Sequence, residues 1–148
     1  MQSLIEQILV DQESHGEVGH GPATDEQITH ASQQLGARFG AALPKDYARF
    51  LRRSNGLDYN GVLLYSAMDS GDEPGVGDFW YGLVAANATW REVSGHEGHL
   101  VLGEADMDLL TVAVDGTGPV LRDKVSSDVN ERFDSVAQAI ESILQRRL

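Results

Sequence analysis

The 148-residue chain contains no cysteine, which removes disulfides, thiolate metal sites and cysteine nucleophiles together. That absence fits a reducing compartment. Nothing in the sequence approaches the roughly 18 uninterrupted apolar residues of a membrane span, so no membrane association is expected. The opening Met1-Gln2-Ser3-Leu4-Ile5-Glu6 has no basic group ahead of its apolar residues, and Glu6 interrupts them, so no secretory signal is expected either. These absences together predict a cytoplasmic protein.

Positive charge is scarce. Eleven Lys and Arg face 23 Asp and Glu, for a formal charge of −12. Residues 1–37 carry six acids and no Lys or Arg, whereas residues 38–53 carry five basic groups against Asp46. Residues 54–121 carry eleven acids against Arg91 alone, and residues 122–148 balance. Phosphate recognition needs clustered cations, so no nucleic-acid partner is expected. Complementary potential favours a basic protein surface instead, with simple solubility as the competing explanation of the acids.

The length suits one domain of roughly 100–200 residues. No linker, repeat or low-complexity tract interrupts it, so a single domain is expected over 1–148. Leu4, Ile5, Ile8 and Leu9 predict a helix over about 2–13. Thr24-Asp25-Glu26-Gln27 has the form of a capping box, with Ile28, Ala31 and Leu35 as the apolar stripe and Gly36 as the helix end. Leu43-Pro44 opens a third helix with Tyr47, Phe50 and Leu51 inward, and Asn55-Gly56 closes it. A strand follows at 61–65, then a Gly- and acid-rich loop over 69–78. A helix over 83–92 turns Trp90 inward, and 100–102 is a buried strand. Leu110, Val112 and Val114 alternate inward, and Asp115-Gly116-Thr117-Gly118 turns the chain into Val120. Phe133, Val136, Ile140, Ile143 and Leu144 mark a final helix. Helices early, strands in the middle and a helix last predict an α+β fold, an antiparallel central sheet with N-terminal helices and a C-terminal helix packed on it.

Catalytic patterns are sparse. His96 and His99 follow Gly95 and Gly98 and read as solvent-exposed loop histidines with no third ligand at metal spacing. His15 and His20 read likewise. Asp106 and Asp108, with Glu104 near, could share acid–base work but also suit the polar turn before Leu109. No phosphate loop, nucleophile elbow or HExxH is present, so no cofactor, no metal and no catalytic residue is expected. Asn87-Ala88-Thr89 matches a glycosylation sequon, without consequence in the cytoplasm.

Asp69, Asp72, Glu73 and Asp78 lie within ten residues, without a neighbouring Lys or Arg, and run into Phe79-Trp80-Tyr81. An aromatic anchor, Trp80, inside an acidic rim is an interface pattern, so these five residues are the expected partner-binding site. Core packing of the aromatics is the competing reading.

The stretch from Thr24 to Gly56 resembles the SUKH superfamily, the Smi/Knr type named after fungal cell-wall regulators. The matching pieces are Thr24-Asp25-Glu26-Gln27-Ile28, Leu35-Gly36, Leu43-Pro44-x-Asp46-Tyr47-x-x-Phe50-Leu51 and Ser54-Asn55-Gly56. Two departures stand: Ser32 occupies a position often acidic, and the link between Gly36 and Leu43 is longer than in many members. The resemblance implies a binding role without shared catalytic residues. Many bacterial relatives look like immunity proteins that neutralise a cognate polymorphic toxin, often a nuclease or deaminase. The expectation is a non-catalytic protein that binds a basic toxin domain. Its rivals are a regulatory or scaffold protein with an endogenous partner, and a hydrolase using Asp106, Asp108 or His99.

Overall fold

The structure is a computed structural model that describes residues 1–17, 21–68 and 82–148. Leu4, Ile5 and Ile8 fall on one face of α1 (Gln2–Ser14) and are buried, as their spacing requires. Helix α2 (Asp25–Phe39) opens with the expected capping box. Thr24 Oγ1 accepts from the Gln27 N–H at 3.1 Å, and Gln27 Oε1 accepts from the Thr24 N–H at 2.9 Å.

The helix does not stop at Gly36. It runs on to Phe39, and Gly40 supplies the left-handed cap at φ 63°, its N–H bonding the Gly36 carbonyl at 3.0 Å. A glycine inside a helix costs only about 1 kcal/mol, less than the extra turn gains by packing Phe39 on the core. Half of the longer link in the sequence, residues 37–39, is therefore helix.

Helix α3 (Lys45–Leu51) begins after Pro44, and Tyr47, Phe50 and Leu51 are fully buried. The Tyr47 hydroxyl shares its proton between the carbonyls of Tyr65 at 2.5 Å and Leu102 at 3.0 Å. Full burial holds this phenol in its neutral, donating form, its pKa pushed well above the usual value chiefly by desolvation. Past the helix, Ser54 Oγ donates to the Gly56 carbonyl at 2.6 Å, and the Ala67 N–H donates to Asn55 Oδ1 at 2.7 Å.

The strands begin earlier than the sequence indicated. β1 (Leu57–Tyr59) and β2 (Val62–Leu64) form a hairpin across Asn60-Gly61, both at positive φ, 46° and 88°. Two left-handed residues match the twist of the flanking strands. After α4 (Leu83–Trp90) come β3 (His99–Ala105), β4 (Asp108–Ala113), β5 (Val120–Asp123) and β6 (Val129–Arg132), and α5 (Val136–Gln145) closes the order. The strands form one antiparallel six-stranded sheet in sequence order. The fold is α+β, with helices at both ends of the chain. One contiguous apolar core joins α1, α2, α3 and α5 to the sheet.

Two positions are corrected, one in burial and one in its element. Val114 lies beyond β4 and is exposed, whereas Leu110 and Val112 are buried. Phe133 precedes α5 and packs against the core from outside the helix, which Ser135 caps by accepting from the Gln138 N–H at 3.0 Å.

β2 pairs with β3 only at 103–105, and β3 shifts register between Val101 and Gly103. A Cβ at Gly103 would lie 2.4 Å from the Leu63 carbonyl oxygen, so the strands meet there without a side chain. Beyond that point β3 still pairs with β4, but its other edge lacks a strand partner, and side chains replace it. Asn87 of α4 accepts from the Val101 N–H at 2.7 Å and donates to the Val101 carbonyl at 2.8 Å. The same amide donates to the Leu83 carbonyl at 2.8 Å.

Phe50→Ala is expected to destabilise the fold by about 3–5 kcal/mol, through lost transfer energy and the cavity left behind. Tyr47→Phe is expected to cost about 1–3 kcal/mol, because the buried Tyr65 carbonyl loses its donor. Chemical denaturation measures both, and shifts below about 0.5 kcal/mol would contradict this packing.

Candidate functional site

Asp69, Asp72, Glu73, Asp78 and Trp80 all lie outside the described residues, as does His20. What flanks that acidic segment is fixed: Ser66 and Gly82 form a parallel bridge, and the Leu83 N–H donates to the Ser66 carbonyl at 2.8 Å.

The acids around the β3–β4 hairpin are held by neighbours. Glu104 accepts from the Tyr65 hydroxyl at 2.7 Å and pairs with Lys124 at 3.0 Å. The Tyr65 hydroxyl in turn accepts from Trp90 Nε1 at 2.8 Å, so Trp90 is turned inward as its spacing suggested. Asp106 pairs with Arg147, whose guanidinium holds its carboxyl below the usual range. Asp108 accepts from Asn130 at 2.7 Å. His99 sits at the opposite end of β3, about 20 Å from Asp106 at 3.3 Å per residue. The three residues of the hydrolase reading are therefore not brought together.

His96 and His99 are not exposed loop residues. Both are buried, their Nδ1 and Nε2 atoms 3.0 Å apart, and His96 Nε2 lies 2.7 Å from the Lys124 carbonyl. A carbonyl only accepts, so His96 Nε2 carries the proton there, and His99 Nε2 donates to the bare His96 Nδ1. Trp90 packs edge-on against His96 at 5.5 Å. The glycines do make a turn, as read. Burial comes from α4 and from Lys124 after β5, which local spacing does not encode. Desolvation first, then the Arg122 charge, lowers the His99 pKa to about 4. Among the described residues no group of three or more His, Asp or Glu could hold a metal ion. Asn87, the sequon residue, is fully buried, and its amide serves the β3 backbone.

A different acidic site emerges where the end of α1 meets the β1–β2 hairpin. Asp11, Gln12, His15 and Glu17 on one side, and Asp58, Tyr59 and Asn60 on the other, line a cleft of about 550 Å³. The Tyr59 hydroxyl donates to Asp11 Oδ2 at 3.2 Å, and His15 Nδ1 lies 2.8 Å from the Asp11 carbonyl. Its pKa is raised by that hydrogen bond, then by the charges of Asp11 and Glu17. Tyr59 is raised by burial, then by its Asp11 hydrogen bond and by the same two charges. Both groups thus sense a negative potential. Elsewhere Arg49, Arg52, Arg53, Lys124, Arg146 and Arg147 each pair with a carboxylate. Among the described residues no Lys or Arg pairs with Asp11, Glu17 or Asp58.

Gln12 is one of the residues lining this cleft and is 5% exposed. Its Nε2 donates to the Asp58 carbonyl at 2.9 Å, but its buried Oε1 has no donor. An unpaired buried acceptor costs about 1–3 kcal/mol. A second cleft shares Asp11 and Tyr59 and is flanked by Val10 and Leu148, which are 65% and 61% exposed. Nothing local in the sequence marks this site, because Asp11 and Asp58 are 47 positions apart. The absence of Lys and Arg over 1–37 was its only trace.

Neither a protein-family model nor a curated protein sequence matches the chain. Its fold is similar to that in the crystal structure of a protein from Pseudomonas syringae pv. tomato. The TM-score is 0.65 at 18% identity, covering 98% of this chain and 99% of the other. At that identity the likeness carries the fold alone. Among the described residues no helix is long and apolar enough to cross a membrane.

Two pH responses follow. His15 is expected to titrate above 6.5 by NMR, and Asp11→Asn to lower its midpoint. His99 acts on stability with the opposite sign. Between pH 6.5 and about 4 the unfolded chain binds a proton there that the folded chain refuses. Stability is therefore expected to fall as pH falls through that window, less steeply in His99→Gln. Equal slopes for the two proteins would contradict the burial of the pair.

Proposed function

We propose that this chain is a non-catalytic binding protein of SUKH type, an immunity protein that neutralises a basic bacterial toxin domain by occupying it. The observation that carries this reading is the α1–β1 cleft, where Asp11, Glu17 and Asp58 gather without a matching Lys or Arg. Elsewhere Glu6, Asp25, Asp46, Glu104, Asp106 and Glu131 each meet a Lys or Arg, whereas the three cleft acids do not, so a basic partner gains there. Carboxylates at an interface accelerate encounter. The exposed Val10 and Leu148 beside them supply apolar area that slows release.

The Leu43–Gly56 motif supports the family reading in one respect. Its Pro44, Tyr47, Phe50, Ser54 and Asn55 all serve the scaffold, as expected for a family that shares a fold and not a catalytic site. The acidic segment 69–78 with Trp80, which lies outside the described residues, remains a second candidate for partner binding on the strength of its sequence alone.

The test is expression of the protein encoded by the neighbouring upstream gene, with and without this chain. Growth arrest relieved by co-expression is expected, together with a complex whose association rate falls as salt rises past about 0.15 M, where the Debye length is roughly 8 Å. Absence of any complex with that protein, or an association rate indifferent to salt, contradicts the proposal. A stable complex without any toxicity would favour the regulatory alternative.

A further inference from the structure

Resting on that reading, we propose that the basic partner's footprint continues from the α1–β1 cleft across the hairpin end of the sheet, where Met107 and Val125 anchor an apolar side chain of the partner flanked by Lys or Arg. An antiparallel sheet in sequence order brings the β1–β2, β3–β4 and β5–β6 turns to one end. At strand spacings of about 4.8 Å the three turns span roughly 20 Å. Arg147 ties the first two together, since its Nη1 donates to the Asn60 carbonyl and to Asp106 Oδ1, both at 3.4 Å. The Lys124 N–H donates to the Met107 carbonyl at 2.9 Å and joins the second turn to the third. Asn60 also lines the cleft, so the two surfaces are continuous.

Met107 and Val125 sit on these turns, 61% and 78% exposed, and the Lys124 bond makes them neighbours. Single exposed hydrophobics are ordinary, but two adjoining ones on a locked backbone form a ready-made contact. The Val125 and Ser126 N–H groups both donate to Asp123 Oδ1 at 2.8 Å. Ser127, at φ 66°, is held by its Oγ on the Gly95 carbonyl at 2.8 Å. The buried His96 supports the same turn through the Lys124 carbonyl. An apex fixed in advance loses little entropy when a partner covers it.

Charge selects the partner. Asp108 and Asp123 face each other across β4 and β5, a placement that is unfavourable for like charges. Among the described residues no Lys or Arg pairs with either, nor with the exposed Asp128. Lys124 and Arg147 are already engaged with Glu104 and Asp106. Lys or Arg of a partner therefore relieves repulsion that the chain leaves standing. A second copy of this chain, at a formal charge of −12, adds to it.

The experiment is an NMR titration of the isotopically labelled full chain with three peptides of about 14 residues, roughly 20 Å long as helices. One is built of lysine and leucine, the second of lysine and serine at equal charge, and the third of glutamate and leucine. Saturable shifts of the Met107 and Val125 methyl groups are expected with the lysine–leucine peptide. The lysine–serine peptide should bind about tenfold more weakly for want of apolar contact, and the glutamate–leucine peptide should leave both methyls unmoved. Met107→Gln with Val125→Thr should weaken lysine–leucine binding about tenfold while leaving its salt dependence unchanged. Both side chains are exposed, so the fold survives, and unchanged dispersion of the remaining resonances verifies it. Equal affinity for the lysine–leucine and lysine–serine peptides overturns the apolar anchors. Equal affinity for the glutamate–leucine peptide overturns the basic partner. Shifts that gather on another face, or that ignore the double substitution, overturn the hairpin end as the docking surface. Methyl signals that broaden with protein concentration before any peptide is added overturn it too, in favour of a second copy of the chain. Failure of the immunity reading shows separately, as absent growth rescue by a chain whose hairpin end still binds the lysine–leucine peptide.

Discussion

The fold turns on one hydroxyl. Tyr47 reaches from α3 to the carbonyls of Tyr65 and Leu102, at the point where β2 has ended and β3 continues with β4 on one side only. A sheet whose neighbour stops short exposes backbone groups that need partners. Tyr47 answers from the α3 side, and Asn87 answers from α4 at Val101. The register shift between Val101 and Gly103 falls at these two anchors. With β3 held there, β4 to β6 follow by hairpin pairing. The Trp90–Tyr65–Glu104–Lys124 chain then closes over the same shoulder. Small polar groups inside the core thus set the geometry that the apolar mass stabilises.

Legibility in the sequence followed the range of the interactions. The capping box at Thr24, the Pro44 start and the Asp115–Gly118 turn are local chemistry, and each was readable. The Asn60-Gly61 turn was equally local, and the β1–β2 hairpin was missed because three-residue strands offer almost no alternation to detect. β6, with four residues half-exposed in alternation, was missed for the same reason. Gly36 and Gly40 show a finer limit. Two glycines four apart both suit a helix end, and packing of Phe39 decides between them. His96 and His99 mark the outer limit, since their burial depends on α4 and on Lys124, the latter 25 or more residues away.

The candidate site was the least legible part. Runs of acids catch the eye when contiguous, as over 69–78, whereas Asp11, Glu17 and Asp58 are assembled by α1 meeting a hairpin. In the described residues the recognisable motifs are consumed by the scaffold. The proposed function therefore lives on surface that no motif marks, consistent with a binding protein whose fold persists while its partner-facing residues vary.

The central claim is that the α1–β1 cleft faces a basic protein partner. Amide hydrogen exchange of this chain, alone and saturated with the protein encoded by the neighbouring upstream gene, tests it most directly. The account predicts slowed exchange from Asp11 to Glu17 and at Tyr59 and Asn60, with α3 and β4 unchanged. Protection that leaves those residues untouched and gathers instead on the Arg49–Arg53 side of α3 would contradict it.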